Sequence, residues 1–170
     1  MSCPEHFRIS GDSVRSGFIP VSVAGSSAAS PRETEFALRL GGLLARAGFS
    51  IVCGGGGGVM EAVCRGALEA GGTTIGILPG SDPAEANRFV QIAIPTGMGS
   101  ARNRIVALAG TALVAVGGRY GTLSEVAFAL DAGRPVCAFG SWASVPGVTE
   151  AGTPEEAVQF VTRGSGGRPC

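Results

Sequence analysis

The sequence predicts an α/β fold: three layers, α/β/α, around a mainly parallel sheet. Three observations carry that reading. Short β-branched runs alternate with stretches of helical periodicity, the pattern of βαβ crossovers. The runs are apolar at nearly every position, as strands covered on both faces are. The turns that follow them are made largely of Gly and Ser: Gly25-Ser26-Ser27, then Gly54, Gly55, Gly56, Gly57 and Gly58 in a row, then Gly117-Gly118-Arg119-Tyr120-Gly121-Thr122.

The elements follow in order. Residues 1–18 mix charge, Ser and Gly without periodicity and read as an N-terminal arm. One domain is expected over residues 19–163, with a Gly-rich tail over residues 164–170. Residues 21–24 form a strand that Gly25-Ser26-Ser27 ends. Ser30-Pro31-Arg32-Glu33 opens a helix, with Ser as N-cap, Pro in the first position and Glu closing a capping box. Phe36, Leu40, Leu43, Leu44 and Ala47 make its apolar stripe, and Gly48 stops it. Residues 49–53 are the next strand. Past the five glycines, Val59, Met60, Val63, Cys64 and Ala67 define a second amphipathic helix, ended by Gly71-Gly72.

Residues 73–78 are a strand, 81–88 a polar loop and 89–94 an alternating strand broken by Pro95-Thr96-Gly97. Residues 100–109 read as a helix, 111–116 as a buried strand, 122–132 as a helix and 136–139 as a strand. Thr153-Pro154-Glu155-Glu156 repeats the capping signature and opens a last helix to about residue 162.

Composition narrows the chemistry. The chain has 170 residues, 45% of them hydrophobic and 15% charged, with a formal net charge of zero. That length buries a substantial core. Zero net charge lacks the broad basic footprint of a nucleic-acid binder. No apolar run approaches the length of a membrane span. The first residues carry no leader pattern, and five cysteines without a CxxC pair fit buried, reduced thiols. A cytoplasmic protein is therefore expected, with no nucleic-acid or membrane partner and no metal site. All 13 basic residues are arginine and there is one histidine, His6. The lack of lysine excludes a pyridoxal phosphate Schiff base and a P-loop lysine. One histidine in a polar arm leaves little for a Ser-His-Asp triad. Any catalysis must rest on carboxylates, arginines, hydroxyls and backbone N–H groups, with no cofactor required.

Turns without side chains, backed by helix N-termini, suit close approach of an anion to backbone donors. In open parallel sheets, ligands lie beyond the carboxyl ends of the strands, so the three turns are expected to converge there. The dinucleotide fingerprint GxGxxG fails, because its third glycine position is Val59. The strand some twenty residues on offers no acid for a ribose hydroxyl. A single phosphate-bearing group fits better.

Three blocks in order carry a family resemblance over residues 20–139. They are Ile51-Val52-Cys53, the five glycines and Val59-Met60-Glu61-Ala62-Val63; then Ile94-Pro95-Thr96-Gly97-Met98-Gly99-Ser100-Ala101-Arg102-Asn103; then Val116-Gly117-Gly118-Arg119-Tyr120-Gly121-Thr122-Leu123-Ser124-Glu125. The chain resembles the molybdenum-cofactor-carrier-like branch of the LOG superfamily, relatives of the cytokinin-activating phosphoribohydrolases. The resemblance implies a Rossmann-like fold and a homo-oligomer, dimer or tetramer. It implies a small phosphorylated ligand, the molybdenum cofactor or a nucleoside monophosphate, at the glycine turns. Ligand contacts are then expected from Gly25, Ser26, residues 54–58, Thr96, Gly97, Gly117, Gly118, Arg119, Gly121 and Thr122. In the hydrolase branch the motif PGGxGTxxE holds the 5′-phosphate, and its Glu acts with an Arg on the N-glycosidic bond. Those positions are Glu125 and Arg102. Two departures stand out: Val116 replaces the motif's Pro, and Arg102-Asn103 replaces an Arg-Lys pair.

Simpler roles stay open for each residue. Thr122-Leu123-Ser124-Glu125 is itself a capping box, and a carboxylate in a first helical turn favours the dipole. Arg102 lines up with Val106 and Ala109, so it points inward and needs a partner, either Glu125 or an anion. Three functions remain: a carrier of a phosphorylated ligand such as the molybdenum cofactor, a nucleoside 5′-monophosphate hydrolase, or a ligand sensor acting through oligomerisation.

Overall fold

The computed structural model describes residues 18–164. Seven strands form one parallel sheet: β1 (Ile19–Gly25), β2 (Phe49–Cys53), β3 (Thr74–Leu78), β4 (Ile92–Pro95), β5 (Leu113–Val116), β6 (Val136–Phe139) and β7 (Val148–Glu150). Their spatial order is β4-β3-β2-β1-β5-β6-β7. The helices are α1 (Pro31–Arg46), α2 (Val59–Glu69), α3 (Asn103–Ala109), α4 (Tyr120–Asp131) and α5 (Pro154–Gly164). The three-layer, Rossmann-like α/β fold expected from the alternation is present. Of the arm expected over residues 1–18 all but Phe18, and of the tail expected over 164–170 all but Gly164, lie outside the described residues; Gly164 ends α5.

Period-two alternation assigns the faces. Val21, Val23, Ile51, Cys53, Val114, Val116, Cys137 and Phe139 face one way, into the large core with α1, α2 and α5. Ala24, Leu113, Ala115, Val136 and Ala138 face the other way, under Val126 and Ala129 of α4. Trp142 is half-buried against this second cluster. On the first face, α1 and α2 meet nearly backbone to backbone. A Cβ on Gly41 would lie 2.1 Å from the Val63 carbonyl, and one on Gly66 would lie 1.9 Å from the Leu38 carbonyl. The buried Ser22 is satisfied, accepting from Gly110 N–H at 2.9 Å and donating to the Val106 carbonyl.

Two of the three capping boxes read from the sequence form, at Ser30/Glu33 and Thr153/Glu156. Ser30 Oγ accepts from Glu33 N–H, and Ser30 N–H donates to Glu33 Oε2 at 2.7 Å. Glu156 N–H donates to Thr153 Oγ1 at 3.2 Å, and Thr153 N–H donates to Glu156 Oε2 at 3.3 Å.

Several elements differ from expectation: β1 begins at Ile19 rather than residue 21 and β5 at Leu113 rather than residue 111, and four further differences have a structural reason. β4 starts at Ile92 because a turn closed by Val90 N–H to the Asn87 carbonyl, 3.1 Å, sends Phe89 and Val90 into the core. Pro95 is tolerated in β4 because that strand is the sheet edge. The helix expected over 100–109 splits into a 3-10 turn, Gly99–Arg102, and α3. α4 begins at Tyr120, two residues early, with Leu123 N–H donating to the Arg119 carbonyl at 3.0 Å. β7, three residues at the far edge, has no periodic pattern that would reveal it.

The topology fixes where a ligand belongs. From β1 the chain moves outward through β2, β3 and β4, then returns to β5 on the other side of β1 and moves out to β7. The crevice opens where this direction switches. Gly25 and Val116 are register partners, so the loops after β1 and β5 leave the sheet at the same level.

Candidate functional site

A cleft of about 330 Å³ lies at that switch point, at the lower end of the range for small-ligand pockets. Its wall from the β1 loop is Gly25, Ser26, Ser27 and Ala28. Arg102 and Asn103 come from the joint between the 3-10 turn and α3. Arg119, Gly121, Thr122 and Glu125 come from the start of α4, and Met60 from α2. Seven of the expected site residues meet here: Gly25, Ser26, Arg102, Arg119, Gly121, Thr122 and Glu125.

Arg102 and Glu125 are the chemical centre. Their side chains are 13% and 8% exposed, and Arg102 Nη1 donates to Glu125 Oε1 at 3.3 Å. Arg102 Nη1 also donates to Asn103 Oδ1, and Nη2 donates to the Gly54 carbonyl at 3.4 Å. The N–H on Nε is buried with no acceptor. A buried donor left unpaired costs about 1–3 kcal/mol.

Burial pushes the Glu125 carboxyl up to about 7, against the opposing pull of Arg102. The desolvation outweighs one positive charge at long hydrogen-bond distance. The capping alternative for Glu125 does not hold. Since α4 starts at Tyr120, Thr122 lies inside the helix and Glu125 lies beyond its first turn, which contains no acid. The side chain turns to Arg102 instead.

Asn103 was read only as a missing charge. In the structure it is buried and connects the two halves of the site. Its Oδ1 accepts from Arg102, and its Nδ2 donates to Ser124 Oγ at 2.9 Å and to the Gly121 carbonyl at 3.3 Å. A lysine here would lack the acceptor that holds Arg102. Ser27, from the turn expected to converge here, also lines the cleft, as do Ala28 and Met60, whose residue types did not announce it.

The remaining expected residues stand behind or beside the cleft. The turn over residues 54–58 packs against protein. Gly54 lies under Arg102, and its carbonyl accepts from that guanidinium. The carbonyls of Gly55 and Gly56 accept from Asn87 Nδ2 at 3.1 and 2.8 Å. Gly58 has φ +63, and a Cβ there would fall 2.3 Å from the Ser26 carbonyl. Val59 N–H, the first of α2, already donates to that carbonyl at 2.9 Å. Gly57 is the roomiest of the five, with nothing closer than 3.8 Å.

In the second turn, Gly117 has φ +52 and donates to the Phe139 carbonyl at 2.9 Å. A Cβ there would overlap the Glu33 carboxylate, at 1.5 Å. Gly118 lies against Thr122 in the same way, at 2.1 Å from Oγ1. Thr96 and Gly97 follow the edge strand: Thr96 Oγ1 donates to the Leu78 carbonyl at 2.7 Å, and Gly97 N–H to the Gly80 carbonyl at 2.9 Å.

Among the described residues, no group of three or more His, Cys, Asp or Glu side chains is placed to hold a metal ion. No helix among them is long and apolar enough to cross a membrane.

Comparisons with known proteins agree with this architecture. The sequence profile of the SLOG cluster4 family matches residues 18–164. An uncharacterised protein of Archaeoglobus fulgidus is 40% identical over 140 residues, 82% of this chain and 92% of that protein. The molybdenum cofactor binding protein of the phototrophic bacterium Rippkaea orientalis superposes with a TM-score of 0.79 at 37% identity, covering 89% of this chain and 98% of that one. The molybdenum cofactor carrier protein of Chlamydomonas reinhardtii gives a TM-score of 0.76 at 37% identity, covering 87% and 98%.

Proposed function

From the premise that this chain belongs to the SLOG cluster4 family, we propose that it binds a phosphorylated, nucleotide-like ligand in the cleft at the β1/β5 switch point. The molybdenum cofactor is the ligand the reading favours. One observation carries the proposal: the buried, unpartnered Nε–H of Arg102 on the cleft wall. A phosphate oxygen is an acceptor that a guanidinium holds well. The Ser26 hydroxyl and the α4 N-terminus add further donors from Gly121 and Thr122. Met60 offers a polarizable apolar surface to a flat ring. The donor set therefore fits a phosphate joined to a planar group. The solved relatives named for the molybdenum cofactor support the pterin identity.

The test is purification from a host that makes the molybdenum cofactor, followed by acid-oxidised pterin fluorescence and molybdenum analysis. Stoichiometric pterin and molybdenum are expected, and Arg102→Ala should lose both. A protein that takes AMP tightly and carries no pterin would sink the carrier reading.

A second reading rests on the carboxyl itself. A buried Glu125 raised to about 7 is suited to proton transfer near neutral pH. A nucleoside 5′-monophosphate hydrolase would use it on the glycosidic bond, with Arg102 stabilising negative charge. Release of ribose 5-phosphate from N6-substituted AMP, abolished by Glu125→Gln with ligand binding retained, is the signature of that activity. No release from any such nucleotide rejects it.

A homo-oligomer is the proposed assembly. Ile92 and Ile94 on the edge strand β4, Met98 just after it and Ile105 on α3 are each 40% exposed or more. A second copy of the chain would cover these side chains. Light scattering at micromolar concentration should give a multiple of the chain mass, and a monomer there counts against it.

A further inference from the structure

Under the cleft, two thiols face each other. Cys53 ends β2 immediately before Gly54, and Cys64 lies on α2; both are buried and free, with sulfurs 3.5 Å apart. Gly55 N–H donates to Cys53 Sγ at 3.4 Å. The segment joining the two cysteines contains all five glycines and the first turn of α2. Bonding the sulfurs therefore closes a short loop around the turn whose Gly54 carbonyl anchors Arg102.

We infer that Cys53 and Cys64 form a reversible redox pair, whose closure to a disulfide resets the turn over residues 54–58 and loosens the hold on Arg102. The effect on ligand affinity rests on the proposed binding site; the bond and the change in the turn do not. The oxidant class is a small peroxide, which is uncharged and reaches buried sulfur through fluctuations of a loop without side chains. Cys53 is the first nucleophile. Its thiolate is favoured by the Cys64 thiol as donor and then by Gly55 N–H and Arg102, against the cost of burial and the charge of Glu125. Cys64 stays protonated beside it. The Cys53 sulfur attacks the peroxide O–O bond, giving a sulfenic acid and releasing water. The Cys64 sulfur then displaces the second oxygen as water, its own proton leaving with it. Two thiols and one hydrogen peroxide yield one disulfide and two waters; the sulfurs lose two electrons and the peroxide gains them. In the disulfide, Cys53 Sγ is a poorer acceptor for Gly55 N–H, so the turn loses one of its anchors.

The experiment uses the full chain, reduced with dithiothreitol, desalted and treated with hydrogen peroxide. Intact mass should fall by two hydrogen atoms, and a peptide map should join Cys53 to Cys64, distinct from any species involving Cys3 or Cys170. Amide hydrogen exchange over residues 54–58 should change, and Kd for AMP should weaken roughly tenfold. Dithiothreitol should reverse all of it, and Cys64→Ser should form no cross-link, with peroxide adding at most oxygen at Cys53. Oxygen addition without the cross-link overturns the inference, as does a cross-link that leaves exchange in the turn unchanged. If the cross-link and exchange change appear but neither state binds AMP or retains pterin, the binding-site reading fails and the thiol pair stands.

Discussion

The turn over residues 54–58 and the turn over residues 117–122 are both glycine-rich, both follow a buried strand and both lead into a helix, yet they face different things. The first is walled in by its own protein: Asn87 holds two of its carbonyls, Arg102 takes a third, and Gly58 sits against the β1 loop. The second is internal only at Gly117 and Gly118; Arg119, Gly121 and Thr122 open onto the cleft. Five consecutive glycines are the louder signal in the sequence, and most of that signal records protein–protein backbone packing. The quieter turn supplies the cleft wall. Glycine marks close approach, but the approaching group can be another part of the chain.

This contrast can be broken or sharpened by substitution. The largest expected effect is on the element both turns share. Arg102→Ala removes the cation that anchors to Gly54 and faces Glu125. It should weaken binding of a phosphorylated ligand about 100-fold, on the order of 3 kcal/mol. Calorimetry with AMP, or pterin retention during purification, reads it; unchanged affinity would move the anion site elsewhere.

Next comes a pair within the first turn. Gly58→Ala forces a side chain into φ +63 and against the Ser26 carbonyl, which should cost about 3 kcal/mol in urea denaturation. Gly57→Ala meets nothing closer than 3.8 Å and should change stability by less than about 0.5 kcal/mol. If Gly57→Ala nonetheless cuts ligand affinity, the first turn touches ligand and the contrast narrows.

Glu125 tests the second turn's helix by pH. Its carboxyl is raised from 4.5 to about 7 in the fold. The folded state therefore binds more protons than the unfolded chain in that window. The resulting stabilisation is fully present below pH 4.5 and is lost as pH rises through about 7, on the order of 3 kcal/mol at most. Stability measured in urea from pH 5 to 8 should fall in the wild type. The fall should be much smaller in Glu125→Gln.

Below the Arg102, Gly58 and Glu125 effects comes Asn87→Ala. It removes the side-chain hydrogen bonds to Gly55 and Gly56 and should cost roughly 1–2 kcal/mol. Amide exchange should rise over residues 54–58 and stay as it was over residues 117–122.

Much of the fold was legible in the sequence, because strand and helix signals were local. Ser30/Glu33 and Thr153/Glu156 form the boxes their spacing predicts. Buried runs such as residues 49–53 are strands as read. The failures involve distant partners. Phe89 and Val90 look like strand residues but serve the core across a turn closed by Asn87. The box signature at Thr122/Glu125 is overridden because Gly117 and Gly118 turn the chain early enough for α4 to start at Tyr120. In the site, an inward Arg102 followed from helical phase, and its pairing with Glu125 was among the partners weighed. The bridging role of Asn103 and the clamp of Asn87 were not visible. An amide side chain carries no periodic or charge signal, and its meaning depends on backbone atoms up to 32 residues away.

The close approach of α1 and α2 through Gly41 and Gly66 has a mechanical consequence. Helices meshed that tightly cannot slide past one another without collision, so the half of the molecule carrying the β1 loop and Met60 behaves as a fixed jaw. The opposite jaw ends in a short α3 and the uncapped start of α4, with Asn103 as its rivet. Any adjustment of the cleft's width then falls to the side built on that short helix.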